Sequence, residues 1–451
     1  MSDDDRTATF TEDAEAPADA KERRFVVRWV FPESAQPPAT FLSDEPRVVG
    51  RDASCDTVLV SSEVSRAHAE FRKNGPLLLV RDLDSKNGLQ VNGERVESAV
   101  LSVGSVLRIC EWIGVVSEVQ EGTDLAVRAL GSGMWGGPEL SAVVERARKA
   151  AKSQLPLAIV GETGSGKERL AAAVHAMSER SGPYLAVNCA NYGSELAAAE
   201  LFGHGQGAFT GAGRARVGHI EASQGGTLFL DEVAELPPAV QPQLLRVLEQ
   251  RELIRLGESR PVLVDVRFVC ASQVPLARLV EQGKFRADLR ARLEGVMLEL
   301  PPLRQRRADI SSLLSQMLAS AARQHSSPGR SPASVPRLDP RLVERLCMHD
   351  WPLNVRELGL VAQRMITLHG DQPSLGLTEL ADVMPDLTPP AASPVESPQP
   401  RDLRAPKHEK ISALLAALDR HDGILSRAAE ELGITRQKAY RLLEASKIKS
   451  H

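Results

Sequence analysis

The sequence predicts a multidomain chain: an all-β sandwich first, then an α/β domain carrying a helical lid, then a small all-α domain at the C-terminal end. Three observations predict it. Short β-type runs separated by turn residues fill residues 24–120. From Gly137 onward, apolar strands alternate with helical stretches, the pattern of a parallel α/β sheet. After a Pro-rich stretch over 388–406, which reads as an extended linker, every run is helical.

Length and charge bound the possibilities. The 451 residues suffice for about three domains. The formal net charge of -4 excludes a global basic field, so any nucleic-acid contact must be local. Asp3, Asp4, Asp5, Glu12, Asp13, Glu15 and Asp19 face Arg6 alone in the first twenty residues, and residues 1–23 read as a disordered acidic tail. From Gly433 the balance reverses. Arg436, Lys438, Arg441, Lys447 and Lys449 face only Glu444, which points to DNA contact at that end. Cys55, Cys110, Cys189, Cys270 and Cys347 are too dispersed for a zinc ribbon or a redox pair and read as free, mostly buried thiols. Nothing resembles a signal peptide or a membrane span, so the expected location is a reducing cytoplasm.

The sandwich is read from the runs Phe25–Phe31, Arg47–Arg51, Thr57–Val60, Ala67–Arg72, Leu77–Leu83, Leu89–Asn92, Val106–Ile109 and Ile113–Val119. Three clusters fall at loops between them: Gly50-Arg51, Ser65-Arg66-Ala67-His68, and Asp84-Ser85-Lys86-Asn87-Gly88 followed by Asn92-Gly93. In this order and spacing they resemble the forkhead-associated (FHA) domain over residues 24–120, a family that binds phosphothreonine peptides. The resemblance implies that Arg51 and Ser65 hold the phosphate, that Arg66 and Lys86 flank it, and that Asn87 bonds the peptide backbone. A guanidinium fork with short polar donors suits a phosphate dianion. His68 and Asn92 are expected to brace the loops. The ligand would be a phosphothreonine-containing protein, or the chain's own tail if a Ser/Thr protein kinase modified Thr7, Thr9 or Thr11.

In the central region, the apolar strand Leu157–Val160 runs into Gly161-Glu162-Thr163-Gly164-Ser165-Gly166-Lys167 and then a helix opening at Glu168. This is a phosphate-binding loop in its strand–loop–helix context. Backbone N–H groups face the phosphates and Lys167 reaches the β/γ oxygens. Glu168 stands where a hydroxyl usually ligates Mg²⁺. Leu228-Phe229-Leu230-Asp231-Glu232 delivers two carboxylates to a strand end, Asp231 for Mg²⁺ through water and Glu232 for the attacking water. ATP and Mg²⁺ are the expected cofactors.

Between these motifs lies Gly207-Ala208-Phe209-Thr210-Gly211-Ala212, a glycine-flanked loop with an aromatic and a hydroxyl at its tip. It resembles the loop by which AAA+ activators of the sigma-54 RNA polymerase holoenzyme grip the sigma factor. The likeness covers an ATPase subdomain over 133–302 and a helical lid over 303–387, through Glu200-Leu201-Phe202-Gly203-His204, Asn188, the run Phe285–Leu293, and Trp351–Leu358. It implies that Asn188 restrains Glu232 until the partner engages. It implies too that Arg286 and Arg292 reach a neighbour's γ-phosphate in a homo-oligomeric ring, and that Arg356 senses nucleotide in cis. Two positions depart from the family. Leu353 replaces a glycine in the Trp-Pro-Gly-Asn turn, and Ser272-Gln273 replaces Thr-Asn beside the γ-phosphate. Hydrolysis is expected to be retained.

At the end of the chain, Ile411–Asp419 reads as an amphipathic helix, and Leu425–Leu432, Gly433-Ile434 and Thr435–Ser446 as a helix–turn–helix with Thr435 as N-cap. The second helix presents Arg436, Gln437, Lys438, Tyr440 and Arg441, with Arg436 and Gln437 best placed for base edges. Residues 407–451 resemble the Fis-type DNA-binding domain. Together these resemblances imply a bacterial enhancer-binding protein. It would bind upstream enhancer DNA, hydrolyse ATP and remodel sigma-54 closed complexes under phosphothreonine control. The alternative, supported by Gln273 and Leu353, is a phosphopeptide-responsive DNA-binding adaptor with a vestigial ATPase.

Overall fold

A computed structural model describes residues 23–33, 37–191, 193–208, 214–325 and 335–385, with scattered positions between 413 and 442. The first domain holds strands β1 (Arg23–Phe31), β2 (Thr40–Leu42), β3 (Arg47–Gly50), β4 (Thr57–Val58), β5 (Ala69–Asn74), β6 (Leu77–Asp82), β7 (Leu89–Val91), β8 (Glu94–Val96), β9 (Ser98–Leu101), β10 (Val106–Ile109) and β11 (Trp112–Gln120). They form two sheets, ordered β2-β1-β11-β10-β7-β8 and β4-β3-β5-β6-β9. Alternate residues of each strand, among them Val27, Trp29, Phe71, Val80, Leu107 and Ile109, meet between the sheets in one core. The strands β2, β8 and β9 were not expected. They span only three or four residues each, too few to carry a periodic signal.

A hairpin of β12 (Arg128–Gly131) and β13 (Met134–Gly136) leads into α1 (Pro138–Ala151) and the α/β domain. Its elements run β14 (Leu157–Val160), α2 (Lys167–Met177), β15 (Tyr184–Asn188), α3 (Ser194–Phe202), the small ladder of β16 (Gly203–His204) and β17 (Arg216–Val217), and α4 (His219–Ala222). There follow β18 (Thr227–Asp231), α5 (Gln241–Gln250), the ladder of β19 (Glu252–Ile254) and β20 (Pro261–Leu263), β21 (Arg267–Ser272), α6 (Leu276–Glu281), α7 (Ala287–Leu293) and β22 (Val296–Glu299). The main sheet is parallel, ordered β15-β18-β21-β14-β22. Its period of two sorts side chains between layers. Leu157, Ile159, Phe229, Val269 and Ala271 pack with α1 and α2, while Ala158, Leu228, Leu230, Phe268 and Cys270 pack with α3, α5 and α7. This ordering puts the ends of β14, β18 and β21 side by side at one edge of the sheet.

The lid comprises α8 (Ile310–His325), α9 (Pro340–Met348), α10 (Asn354–His369) and α11 (Leu377–Val383). Asp339 starts α9 by accepting the Arg341 N–H at 2.7 Å, with Pro340 at the first helical position. The lid core is continuous with Val30, Val106, Ile113 and Val115 of the sandwich. Leu414, Ala417, Ala429 and Ala439 cluster against Leu77, Leu79 and Val100 on the sandwich's other sheet. Described positions 413–414, 416–417, 420, 429, 431, 438–439 and 442 are helical, in keeping with the all-α expectation. Thr435, Arg436, Gln437, Tyr440 and Arg441 lie outside the described residues, and Lys438 lies within them.

All five cysteines are free. Burial pushes the thiols of Cys189, Cys270 and Cys347 up to about 12, so they are inert core groups. No described helix is long and apolar enough to cross a membrane.

Candidate functional site

The phosphate-binding loop is held in a shape only its glycines allow. Gly164 has φ +73°, and a Cβ there would lie 2.1 Å from the Leu353 carbonyl oxygen. Lys167 opens α2 and is almost fully buried, its Nζ donating to the carbonyls of Gly161 (2.8 Å) and Glu162 (3.1 Å). Burial lowers its pKa, against the opposing pull of Asp231 and Glu232. An ammonium desolvated in this way gains from an anion brought to it. Ser165 Oγ donates to the Glu162 carbonyl at 2.8 Å. Glu162 is a strut rather than a lining residue. Its carboxylate takes a two-pronged bond from Arg304 (2.6 and 2.7 Å), which holds its pKa below the usual carboxylate range. Asn354 Nδ2 reaches the same carboxylate at 3.2 Å and the Thr163 carbonyl at 3.0 Å. The loop is thereby lashed to the start of the lid.

A cavity of about 520 Å³ lies between loop and lid, bordered by Gly164, Gly166, Lys167, Glu168, Asp231 and, from α10, Arg356. Beside it a recess of about 280 Å³ opens between Met134, Trp135 and Leu140 on one side and Arg306, Leu313 and Met317 on the other. Its largely apolar walls suit a planar base, with the neighbouring loop holding phosphates. Sequence reasoning missed these residues. The hairpin's Met134-Trp135 pair is the only local signal, and it reads as ordinary core.

Strand register places Asn188 opposite Asp231, at the sheet edge facing Lys167. Burial raises the Asp231 carboxyl, an environment a cation would relieve. Among the described residues no group of three or more His, Cys, Asp or Glu side chains forms a metal cage. The donor set fits Mg²⁺, which is held by one or two carboxylates plus nucleotide phosphates and water. Glu232 sits in the left-handed region (φ +50°, ψ 45°), a strained conformation for a side-chain-bearing residue. Gln273 Nε2 donates to Glu232 Oε1 at 3.2 Å. Asn188 instead accepts the Ala190 N–H at 2.8 Å, and no hydrogen bond joins it to Glu232 among the described residues. The longer glutamine therefore occupies the contact that the resemblance assigned to Asn188. Ser272 is buried and donates to the Val274 carbonyl at 2.6 Å.

Arg286 and Arg292 do not line this cavity. Arg286, the residue before α7, pairs with Asp288 (2.7 Å), and Arg292 pairs with Glu249 (3.2 Å). Their side chains are 49% and 59% exposed. Of the loop hexapeptide, Gly207 (φ +79°) and Ala208 are described, and Ala208 packs onto Gly257. Phe209, Thr210, Gly211 and Ala212 lie outside the described residues.

A separate cavity of about 860 Å³ in the sandwich brings together Arg51, Ser65, Arg66 and Lys86. The Arg51 N–H donates to the Ser65 carbonyl (3.0 Å), and the Lys86 N–H to Ser65 Oγ (3.1 Å). A Cβ on Gly50 would meet the Arg66 carbonyl oxygen at 2.1 Å, so this close loop approach requires glycine. His68 is fully buried, its Nδ1 accepting the Ser65 N–H (3.2 Å) and its Nε2 facing the Gly88 carbonyl (3.2 Å). It ties the loop bearing Ser65 to the loop bearing Gly88, as the sequence suggests. Asn92 Oδ1 likewise accepts the Val106 N–H at 2.9 Å. Asn87 is not among the residues that border the cavity; its amide donates to the carbonyl of Glu63, which is, at 2.8 Å.

Comparison with known proteins matches four family descriptions in chain order. They are FHA domain (residues 47–110), Sigma-54 interaction domain (135–299), AAA+ ATPase lid domain (304–395) and Bacterial regulatory protein, Fis family (412–442). The transcriptional regulatory protein ZraR of Escherichia coli is 38% identical over 315 residues, covering 69% of this chain and 68% of that protein. The Nif-specific regulatory protein of Azotobacter vinelandii is 38% identical, covering 68% of this chain and 57% of the relative. The structure of NtrX from Brucella abortus in complex with ATP superposes with a TM-score of 0.51 at 30% identity, covering 71% of this chain and 70% of that one.

Proposed function

The chain belongs to the family of sigma-54-dependent transcriptional regulators, and on that premise we propose that it is an ATP-driven remodeller of sigma-54 RNA polymerase closed complexes, docked on upstream enhancer DNA and governed by phosphothreonine recognition. The observation that carries the ATPase reading is the assembly of Lys167, Asp231 and Arg356 around one cavity, with Glu232 within electrostatic reach of Lys167. Lys167 exchanges the Gly161 and Glu162 carbonyls for β/γ-phosphate oxygens. Asp231 would hold Mg²⁺, which would offset charge on the phosphates. Glu232 orients and polarises the attacking water, and Gln273 fixes where its carboxylate points. Arg286 and Arg292 complete a neighbour's site across a ring interface, a contribution worth about three to five decades of rate in related phosphoryl transfer. The segment around Phe209 and Thr210 grips sigma-54. Arg51, Ser65, Arg66, Lys86 and Asn87 read a phosphothreonine on a partner protein or on the chain's own tail, written by a Ser/Thr kinase.

The vestigial-ATPase alternative is disfavoured by both departures on which it rests. Gln273 reaches Glu232, and Leu353 occupies its turn at φ -104°, a backbone angle open to any residue. The test is ATP-dependent open-complex formation by sigma-54 holoenzyme at a promoter bearing an upstream site. Wild type is expected to open it, while Thr210→Ala keeps ATPase and loses opening. Opening by a holoenzyme that lacks sigma-54 would sink the proposal.

A further inference from the structure

The sheet of the sandwich that carries β1, β10 and β11 is not a free surface. Helix α9 packs on β10 and β11, and α8 packs on β1. Val30, Val106, Ile113 and Val115 share one hydrophobic core with the lid. Polar contacts cross the same interface, among them Ser315 Oγ donating to Glu33 at 2.8 Å, and two junctions are built on buried charges. In the first, Arg108 Nε donates to Glu344 Oε2 of α9 at 2.6 Å, with both side chains largely buried, and the same guanidinium bonds the Gln90 amide oxygen on β7. Strand β7 directly follows the loop bearing Lys86 and Asn87. In the second, Arg28 of β1 faces Glu139 of α1 (3.4 Å) and the fully buried Asp309 (3.7 Å). Asp309 also accepts the Gly137 N–H at 3.0 Å and faces Arg306 at 3.7 Å. Arg306 is buried, lines the recess beside the phosphate-binding loop, and leaves Nε and Nη1 without a hydrogen bond. Unsatisfied donors on a buried cation are costly, and a ligand entering that recess changes their surroundings.

From this geometry we propose that the FHA sandwich is docked on the lid as a regulatory surface, so that phosphopeptide recognition and nucleotide occupancy are thermodynamically linked. Arg306–Asp309–Arg28 couples the nucleotide recess to β1, and Glu344–Arg108–Gln90 couples the lid to the peptide-binding loop. The partner of this sandwich face is the chain's own lid. Linkage is reciprocal, so nucleotide must alter peptide affinity by the factor by which peptide alters nucleotide affinity. The control function of the link rests on the phosphothreonine reading above. The physical link does not.

The test is hydrogen exchange of the full chain with and without a non-hydrolysable ATP analogue. The expected result is altered exchange in β1, β7, β10 and the Ser85–Gly88 loop, in addition to the ATPase domain. In the Arg108→Gln, Glu344→Gln double variant, whose amides can still pair, the response of β7 and its loop is lost while analogue binding persists. Exchange in the sandwich that is unchanged by analogue in wild type overturns the proposal. A response of β7 that survives in the double variant overturns the Arg108 route. A phosphothreonine peptide library supplies a second measurement, with Kd for the best binder expected to shift about five-fold or more on adding analogue. If no peptide binds, the phosphothreonine reading fails while the exchange result still decides the linkage.

Discussion

His68 shows what a single buried side chain fixes. Desolvation lowers its pKa, so the folded chain keeps the ring neutral where the unfolded chain would protonate it. The unfolded state then binds more protons below the ordinary imidazole range, and stability falls as pH drops through about 6.5 toward the lower folded value. The urea midpoint of the sandwich transition in the full chain is expected to drop between about pH 7.5 and 5.5. Most of that drop should vanish in His68→Gln. An equal drop in the variant would place the titrating group elsewhere. Glu232 offers a second residue-scale prediction. Glu232→Gln should bind ATP normally yet hydrolyse it about a hundred-fold more slowly or worse, as loss of a general base does. Gln273→Ala frees the carboxylate from its 3.2 Å bond, and its effect should appear in kcat with little change in KM. An effect confined to KM would mean that Gln273 does not position Glu232.

At the scale of elements, the loop-to-lid lashing decides which departures matter. Gly164 is forced by both its positive φ and the Leu353 carbonyl. Gly164→Ala should cost about 1–2 kcal/mol from backbone handedness alone, before the clash, and nucleotide affinity should fall about ten-fold or more by titration. Leu353→Gly should leave ATPase within about two-fold, because the turn's left-handed residues are Trp351 and Asn354. A large gain on restoring glycine would show that Leu353 impairs the turn. The phosphate loop, both carboxylates and the sandwich loops were legible as motifs because each is a short contiguous run. The Arg304–Glu162 bond, the Trp135 recess and the Gln273–Glu232 contact were not. Each joins residues from separate elements, and sequence spacing carries no distance between them.

At the scale of the whole molecule, the exposed Arg286 and Arg292 make the isolated subunit incomplete under the proposed ring. Arg292→Ala should lower ATPase by about three decades. Mixing it with Lys167→Ala, also inactive alone, should recover measurable activity. An intact finger of one subunit then faces an intact loop of the other. Equal inactivity of the mixture and its parents would argue for an arginine acting in cis.

The sequence by itself determined the order of domains, the phosphate loop, the acidic strand end and the loop residues of the sandwich. Local backbone demands and ligand chemistry write these as fixed runs of residue types. It also flagged Gln273 and Leu353 as departures, though without their consequences. Only the tertiary structure decided that Gln273 spans to Glu232, that Leu353 needs no special backbone angle, and that the sandwich shares a core with the lid. The physical reason is common to all three. Packing brings together groups as far apart in the chain as Arg108 and Glu344, and a buried charge reveals its partner only once the fold has removed the water around it.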